Sequence, residues 1–247
     1  MKFVAHRGLA ALYPENTLLA LARALQRGAD AVECDLQFSA DKHAFLLHDV
    51  CLSRTSRSRS KLVELDSAQL KHISVHEPER FAEKYFPCRI SRFTDALSLM
   101  RNYPGKLFFA EIKREVFHHF TYTEVFASLL NEAQSVLAEK WCERVVFISY
   151  DEQFLAEFKA CCSKLRCGWV LSTYDNHSLN IASELQPDFL ICNKNKINEP
   201  LFTGPWQWML YDISGARELK LWQQRGLYWV ESWDVDKLMR DWRSYEL

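Results

Sequence analysis

Short apolar runs recur along the whole chain, most of them separated by spacers long enough to hold a helix. This alternation restricts the fold more than any other feature, because strand then helix, repeated, implies a parallel sheet with crossovers. The runs are Phe3–His6, Ala31–Leu36, Ala44–His48, Leu107–Ile112, Val145–Ser149, Gly168–Ser172, Phe189–Asn193, Gln207–Tyr211 and Tyr228–Ser232. They are one too many for the eight staves of a closed α/β barrel. Spacer length identifies the extra one. Only a few residues, around Ser39-Ala40-Asp41-Lys42, join the second run to the third. A parallel crossover needs a dozen or more, so these two runs must form an antiparallel hairpin. With its turn near Asp41, facing residue numbers sum to about 83, which sets Asp35 opposite His48. The remaining runs supply a (β/α)8 barrel, an α/β TIM-barrel fold that suits a chain of 247 residues. Residues 1–247 are therefore expected to form a single barrel domain. A capping insertion follows the second strand, at about 38–106, over the mouth.

Helical spacing fills the gaps. Leu18, Leu21, Ala22 and Leu25 share a helical stripe closed by Gly28, with Asn16 or Thr17 as the N-cap. Further helices are predicted over Phe93–Met100, about Thr121–Lys140, Glu152–Cys162, Leu179–Leu185 and Ala216–Arg225, with a short one beginning at Asp66.

Reactive side chains gather at the ends of these strands. Val4-Ala5 runs straight into His6-Arg7-Gly8, as at the rim of a barrel. In Ala31–Leu36 the acids Glu33 and Asp35 lie two apart and so share a face. Two carboxylates on one face of a buried strand repel each other, and a hard cation offsets that repulsion. Glu111, ending another apolar run, supplies a third hard oxygen ligand. Such a set suits one divalent cation, Mg2+ or Ca2+. His6 and His48 are candidates for acid–base work, because an imidazole exchanges protons near neutral pH. Arg7 and Lys113 are natural cations for phosphate oxygens. Glu15 reads either as a helix-capping residue or as a contact within the site.

The ordered set His6-Arg7-Gly8, Pro14-Glu15-Asn16-Thr17, Glu33-x-Asp35 and His48-Asp49 resembles the signature of the glycerophosphodiester phosphodiesterase family. Glu111-Ile112-Lys113 resembles the family's Glu-x-Lys strand, and Ile148-Ser149-Tyr150-Asp151 its Ser-Phe strand end. The resemblance implies a TIM barrel and metal-dependent hydrolysis of a small-molecule glycerophosphodiester to sn-glycerol 3-phosphate and an alcohol. It implies acid and base roles for His6 and His48, without saying which is which, and an active-site or supporting contact for Glu15. Two rivals share the barrel: a lyase-like lipid phosphodiesterase forming a cyclic phosphate, and a catalytically silent phosphate-ligand-binding barrel. The family's glycines after His-Asp are absent here. Tyr211 stands where the family has Asn, and Ser232-Trp233 where it has Thr-Asp, so no catalytic role is assigned to that end.

Bulk properties narrow the setting. Lys and Arg number 31 against 32 Asp and Glu, a formal net charge of −1, which argues against nucleic-acid binding through charge. No apolar run approaches membrane-spanning length and no export signal is read at Met1-Lys2. The eight cysteines include no C-x-x-C pair and lie mostly in apolar segments. They are expected to be reduced thiols in a cytoplasmic protein. Arg54-Thr55-Ser56-Arg57-Ser58-Arg59-Ser60-Lys61 reads as a solvated, mobile loop, its alternative being a basic lid that attracts phosphate. Trp206, Trp208, Trp229 and Trp233 read as core or barrel wall.

Overall fold

A computed structural model describes residues 1–136 and 143–246. The strands are β1 (Lys2–Ala5), β2 (Ala31–Phe38), β3 (Ala44–Leu46), β4 (Leu107–Ile112), β5 (Val145–Ser149), β6 (Arg166–Val170), β7 (Phe189–Asn193), β8 (Gln207–Tyr211) and β9 (Trp229–Ser232). All but β3 pair in parallel around a closed ring, sealed where β1 pairs with both β9 and β2. The fold is a TIM barrel, and β3 is the extra strand, antiparallel to the far end of β2. The helices between staves include α1 (Leu18–Gln26), α4 (Phe93–Met100), α5 (Tyr122–Val136), α6 (Glu152–Cys161), α7 (Asn176–Leu185) and α8 (Ala216–Gln224). A final helix, α9 (Val235–Glu246), was not anticipated from the sequence. Its stripe of Val235, Leu238, Met239 and Trp242 is buried. The expected extension of α5 to Lys140 lies outside the described residues. No helix among the described residues is long and apolar enough to cross a membrane.

Local chemistry explains these boundaries. Thr17 caps α1, its Oγ1 accepting the Ala20 N–H at 3.2 Å. Gly28 follows the helix with φ of +99°, a left-handed turn that glycine adopts without strain. Inside the barrel, alternate residues of each stave point inward. Val4, Ala31, Phe109, Val146, Ile148, Phe189, Ile191 and Trp229 fill it as one buried cluster. The opposite faces join the helices in a larger apolar layer.

The hairpin register differs from expectation by one residue. Leu36 pairs with Leu46 and Phe38 with Ala44, and the Leu47 N–H donates to the Asp35 carbonyl at 3.0 Å. The turn is centred on Asp41, closed by Ser39 N–H to His43 O at 3.0 Å, so facing numbers have an even sum. Asp35 therefore faces Leu47, and His48 comes one step later. A one-residue slip turns every side chain to the other face. His48 reaches the mouth because β3 has already ended at Leu46.

After His48 the chain makes short helices, α2 (Ser67–Leu70) and α3 (Pro78–Phe81), before returning at α4. Phe45, Leu47, Leu52, Leu62, Leu70, Val75 and Ile90 form a separate apolar cluster there. Each such burial contributes roughly 1.5–3 kcal/mol, which offsets the entropy of ordering the excursion. The segment 54–61 is accordingly less free than its composition suggests. Thr55 and Ser56 are buried, Arg54 pairs with Glu15 and Asp49, and Arg57 pairs with Glu83.

Candidate active site

The acids follow from strand periodicity. Glu33 lies two residues beyond the inward Ala31, Glu111 two beyond the inward Phe109, and Asp35 two beyond Glu33. Glu111 and Asp35 sit side by side in register across β2 and β4. Oxygens of Glu33, Asp35 and Glu111 lie within 4.8 Å of one another. Glu33 Oε1 is buried without a hydrogen-bond partner. An orphaned buried oxygen among three hard donors fits a divalent cation such as Mg2+ or Ca2+.

Two cations already lie against the acids. Lys113 Nζ is 2.9 Å from Asp35 Oδ1 and 2.7 Å from Glu111 Oε1. Arg7 Nε is 3.0 Å from Asp35 Oδ2, and its Nη1 donates to Glu15 Oε1 at 2.9 Å. The Arg7 backbone N–H donates to Glu33 Oε2 at 2.9 Å. Reaching these partners takes Arg7 to φ of 56°, a left-handed conformation that L side chains enter at a cost. Gly8 follows at φ of +78°, where a Cβ would lie 2.5 Å from the Ala20 carbonyl carbon. The glycine of His-Arg-Gly is thus a steric requirement of packing on α1. Asn16, also left-handed, donates from Nδ2 to Asp35 Oδ2 at 2.7 Å and accepts the Asp35 N–H at 3.0 Å.

These partners separate the protonation of neighbouring acids. Burial works against charge on Asp35, but Lys113 and Arg7 beside it hold its carboxyl far below the ordinary range. Glu33 is pushed well up by burial, Asp35 and Glu231. Glu111 is raised by burial, with Lys113 opposing. Burial disfavours charge on Glu15 too, yet Arg54 and Arg7 bring its carboxyl down.

His6 is brought down to about 4, by burial first and then by Arg7, so its ring is neutral at physiological pH. Its ring packs edge-on to Trp233 at 6.0 Å. His48 Nδ1 lies 2.7 Å from Asp49 Oδ1, which leaves Nε2 as its other ring nitrogen. Arg54 ties this arm to the barrel, donating from Nε to Asp49 Oδ2 at 2.6 Å and from Nη1 and Nη2 to Glu15 at 2.8 and 2.7 Å.

His6, Arg7, Glu33, His48, Glu111 and Lys113 line one cavity of about 170 Å³ at the strand ends. Asp35 lies beneath it, bonded to both cations. Glu15 stands behind Arg7, with 2 % of its side chain exposed. The structure thus brings together His6, Arg7, Glu15, Glu33, Asp35, His48, Glu111 and Lys113, the candidate site residues of the sequence.

The same cavity holds three residues to which sequence reasoning gave no role: Tyr150, Tyr211 and Glu231. Glu231 is buried, Oε1 has no hydrogen-bond partner, and burial with the nearby Glu111 and Asp35 pushes its carboxyl up to about 8. The available signal was periodicity, since Glu231 lies two beyond the inward Trp229 just as Glu33 lies two beyond Ala31. Arg54 was passed over as well, hidden in a run that reads as solvated. Trp206, Trp208 and Trp229 are buried as expected. Trp233 is half-buried and belongs to the mouth, with the Arg80 guanidinium 5.2 Å from its ring centroid.

Comparison with known proteins bears on this arrangement. The model of the glycerophosphoryl diester phosphodiesterase family matches residues 6–198. The chain belongs to that family. A Mycobacterium tuberculosis protein named "Probable glycerophosphodiester phosphodiesterase 1" is 44 % identical over 70 residues, 28 % of this chain and 26 % of that protein. The glycerophosphodiester phosphodiesterase of Caldanaerobacter subterraneus is 27 % identical over 165 residues, 67 % of this chain and 64 % of that protein. The matches thus span less than two thirds of these relatives' own length. An Oleispira antarctica phosphodiesterase, solved with the product sn-glycerol-3-phosphate, superposes with a TM-score of 0.84 at 21 % identity, covering 98 % of this chain and 96 % of that one. That likeness is one of fold. Family members share the barrel, and the Glu33, Asp35 and Glu111 cluster lies at its mouth.

Proposed function

We propose that this chain hydrolyses glycerophosphodiesters to sn-glycerol 3-phosphate and an alcohol, using one divalent cation, Mg2+ or Ca2+. The observation that carries the proposal is the convergence of two histidines, two cations and an acid cluster on one cavity. Glu33, Asp35 and Glu111 would hold the cation, which when bound would offset the charge of the non-bridging phosphate oxygens. Arg7 and Lys113 bind those oxygens from the protein side, and Glu15 with Arg54 keeps Arg7 in place. His6 and His48 exchange protons with the attacking and leaving oxygens. The neutral ring of His6 is the form that accepts a proton, and Asp49 fixes the orientation of His48.

The attacking group in this proposal is the glycerol hydroxyl next to the esterified carbon. It is tethered beside phosphorus and therefore has a large effective concentration. One histidine takes its proton and the other protonates the departing alcohol. Water then opens the cyclic phosphate with the roles reversed. Residues 1–247 act as one unit in this reading, the insertion contributing Arg54. The buried thiols of Cys34, Cys167 and Cys192 fit a reducing compartment, and we place the protein in the cytoplasm.

The experiment is a metal-by-substrate panel on the purified protein, read as release of sn-glycerol 3-phosphate. Chelation should abolish turnover, and Mg2+ or Ca2+ should restore it. An analogue with hydrogen in place of the adjacent hydroxyl should bind and compete, yet turn over almost not at all. Turnover of that analogue within a few-fold of the parent would rule out the tethered route.

A further inference from the structure

The barrel mouth has a second half that the chemistry above does not use. Beyond the charged residues, the cavity wall consists of Ile148, Val170 and Ile191 with Tyr150 and Tyr211, and Glu231 stands at the border, within 4.8 Å of ligand atoms of His6 and Glu33. The three aliphatic side chains are buried, at 1–3 % exposure. Glu231 is 5 % exposed, and its Oε1 has no partner. The Tyr150 and Tyr211 hydroxyls lie 3.0 Å apart. One phenol spends its proton on the other, so the pair keeps one O–H to donate to a third oxygen. The wall therefore offers an unfilled acceptor and a free donor, facing hydrocarbon.

A buried carboxyl oxygen without a donor costs free energy that a ligand donor recovers. The ligand matching this wall has hydroxyls along one edge and C–H groups along the other. That is a short polyol. At about 170 Å³ the cavity is smaller than the roughly 300–1,000 Å³ that houses drug-sized ligands. A second hollow of about 370 Å³ adjoins it, sharing His48, Glu111, Lys113 and Tyr150 and extending to the exposed Arg114 and Glu115. A phosphodiester held at the shared residues sends one ester arm into each. The small, walled side suits the constant arm, and the wider, exposed side suits the variable alcohol.

We propose that Glu231, with the Tyr150–Tyr211 hydroxyl pair, hydrogen-bonds the free terminal hydroxyl of the glycerol arm and so sets how that arm is held. The proposal rests on the phosphodiesterase reading above and deepens it. Loss of the terminal hydroxyl removes the O–H that donates to Glu231. A site built to hydrogen-bond a hydroxyl rejects analogues lacking it strongly, because its own polar atoms are then left unpaired. The competing occupant is a second cation, since ligand atoms of His6, Glu33 and Glu231 lie within 4.8 Å of one another. Hard divalent cations take six or more oxygens, whereas the remaining wall is aliphatic or phenolic, and this favours the polyol.

The test pairs a residue deletion with a substrate deletion. The parent substrate is glycerophosphoethanolamine. Its partner is the 1-deoxy analogue, which keeps the hydroxyl adjacent to the esterified carbon and loses only the terminal one. Wild-type kcat/KM should fall on the order of 10²-fold on the analogue. Glu231→Leu and Tyr211→Phe should each lose most of their activity on the parent and little more on the analogue. Calorimetry of sn-glycerol 3-phosphate against 1,2-propanediol 3-phosphate gives the same comparison without turnover. It therefore tests the subsite even if the wild type hydrolyses neither diester, an outcome that would sink the phosphodiesterase reading alone. Equal losses on both members of each pair, in both variants, would overturn the subsite. So would a bound-metal count of two per wild-type chain that falls to one in Glu231→Leu, which would assign Glu231 to a cation.

Discussion

The two halves of the barrel mouth differ in how far buried charge is paired, although Glu33 on the charged side also keeps one oxygen without a partner. On the side of β1, β2 and β4, acids are set against Arg7 and Lys113 at 2.7–3.0 Å. On the side of β5 to β9, aliphatic side chains dominate and the one buried carboxyl, among the described residues of that wall, has an oxygen without a partner. Glu15 and Glu231 show the contrast in a single residue type. Both are buried glutamates, yet Arg54 and Arg7 draw Glu15 down while burial and like charges push Glu231 up. Burial penalises charge in both places, and the nearest partner decides the outcome. The charged half is built around ions of both signs, and the other half waits for a neutral donor.

The largest effect should come from removing a ligand from the charged half. Glu111→Gln keeps the shape and removes the charge, so turnover should fall by roughly 10²–10³-fold, with weakened metal binding. Calorimetric titration of the variant with Mg2+ and Ca2+ checks this. Unchanged affinity would remove Glu111 from the metal set and blur the distinction between the halves.

Next in size is the loss of a buried counter-ion. Glu15→Ala leaves the Arg7 guanidinium, only 14 % exposed, with one carboxylate fewer. Breaking such a pair costs about 3 kcal/mol. The share of Arg54 is discounted because that side chain is 41 % exposed. Urea denaturation of the variant should show a lower midpoint at unchanged slope. A midpoint equal to wild type would mean that Arg7 is held by Asp35 alone.

The smallest effect is the most diagnostic, a pair of opposed pH slopes in metal-free, chelated protein. The folded pKa of Glu15 lies below its reference of 4.5. Its contribution is thus fully present above that value and is lost as pH falls through the folded pKa. The stability deficit of Glu15→Gln should therefore shrink on acidification. Glu231 lies above its reference of 4.5, at about 8. Its favourable term is present below 4.5 and is lost as pH rises to about 8. The melting temperature of Glu231→Gln should thus gain on wild type across that window and hold its lead above it. Parallel curves for wild type and Glu231→Gln would show that the carboxyl has a partner in solution.

Much of the charged half was legible because its signals are local. His6-Arg7-Gly8 directly follows a strand, Glu33 and Asp35 keep the two-residue period, and Glu111-x-Lys113 repeats it on the neighbouring stave. The other half carried the same periodic signal, Trp229 then Glu231, but lay where Tyr211 and Ser232-Trp233 depart from the family pattern. Arg54 could not be picked from its run, because nothing local separates it from Arg57 or Arg59. Its partner Glu15 is 39 positions away.

The sequence by itself determined where the strands and most helices fall, α9 excepted, since apolar period and capping chemistry act over a few residues. It also determined that β2 and β3 form a hairpin, because spacer length alone forbids a crossover. Tertiary structure decided which buried charges found partners. That choice depends on closure of the barrel by β1 with β9, which brings His6 and Glu231 from opposite ends of the chain into one cavity. It also decided the hairpin register, in which a five-residue turn centred on Asp41 sets Leu47 rather than His48 opposite Asp35. Spacing along a chain bounds such contacts, but only the packed barrel, where desolvation makes each missing partner costly, selects among them.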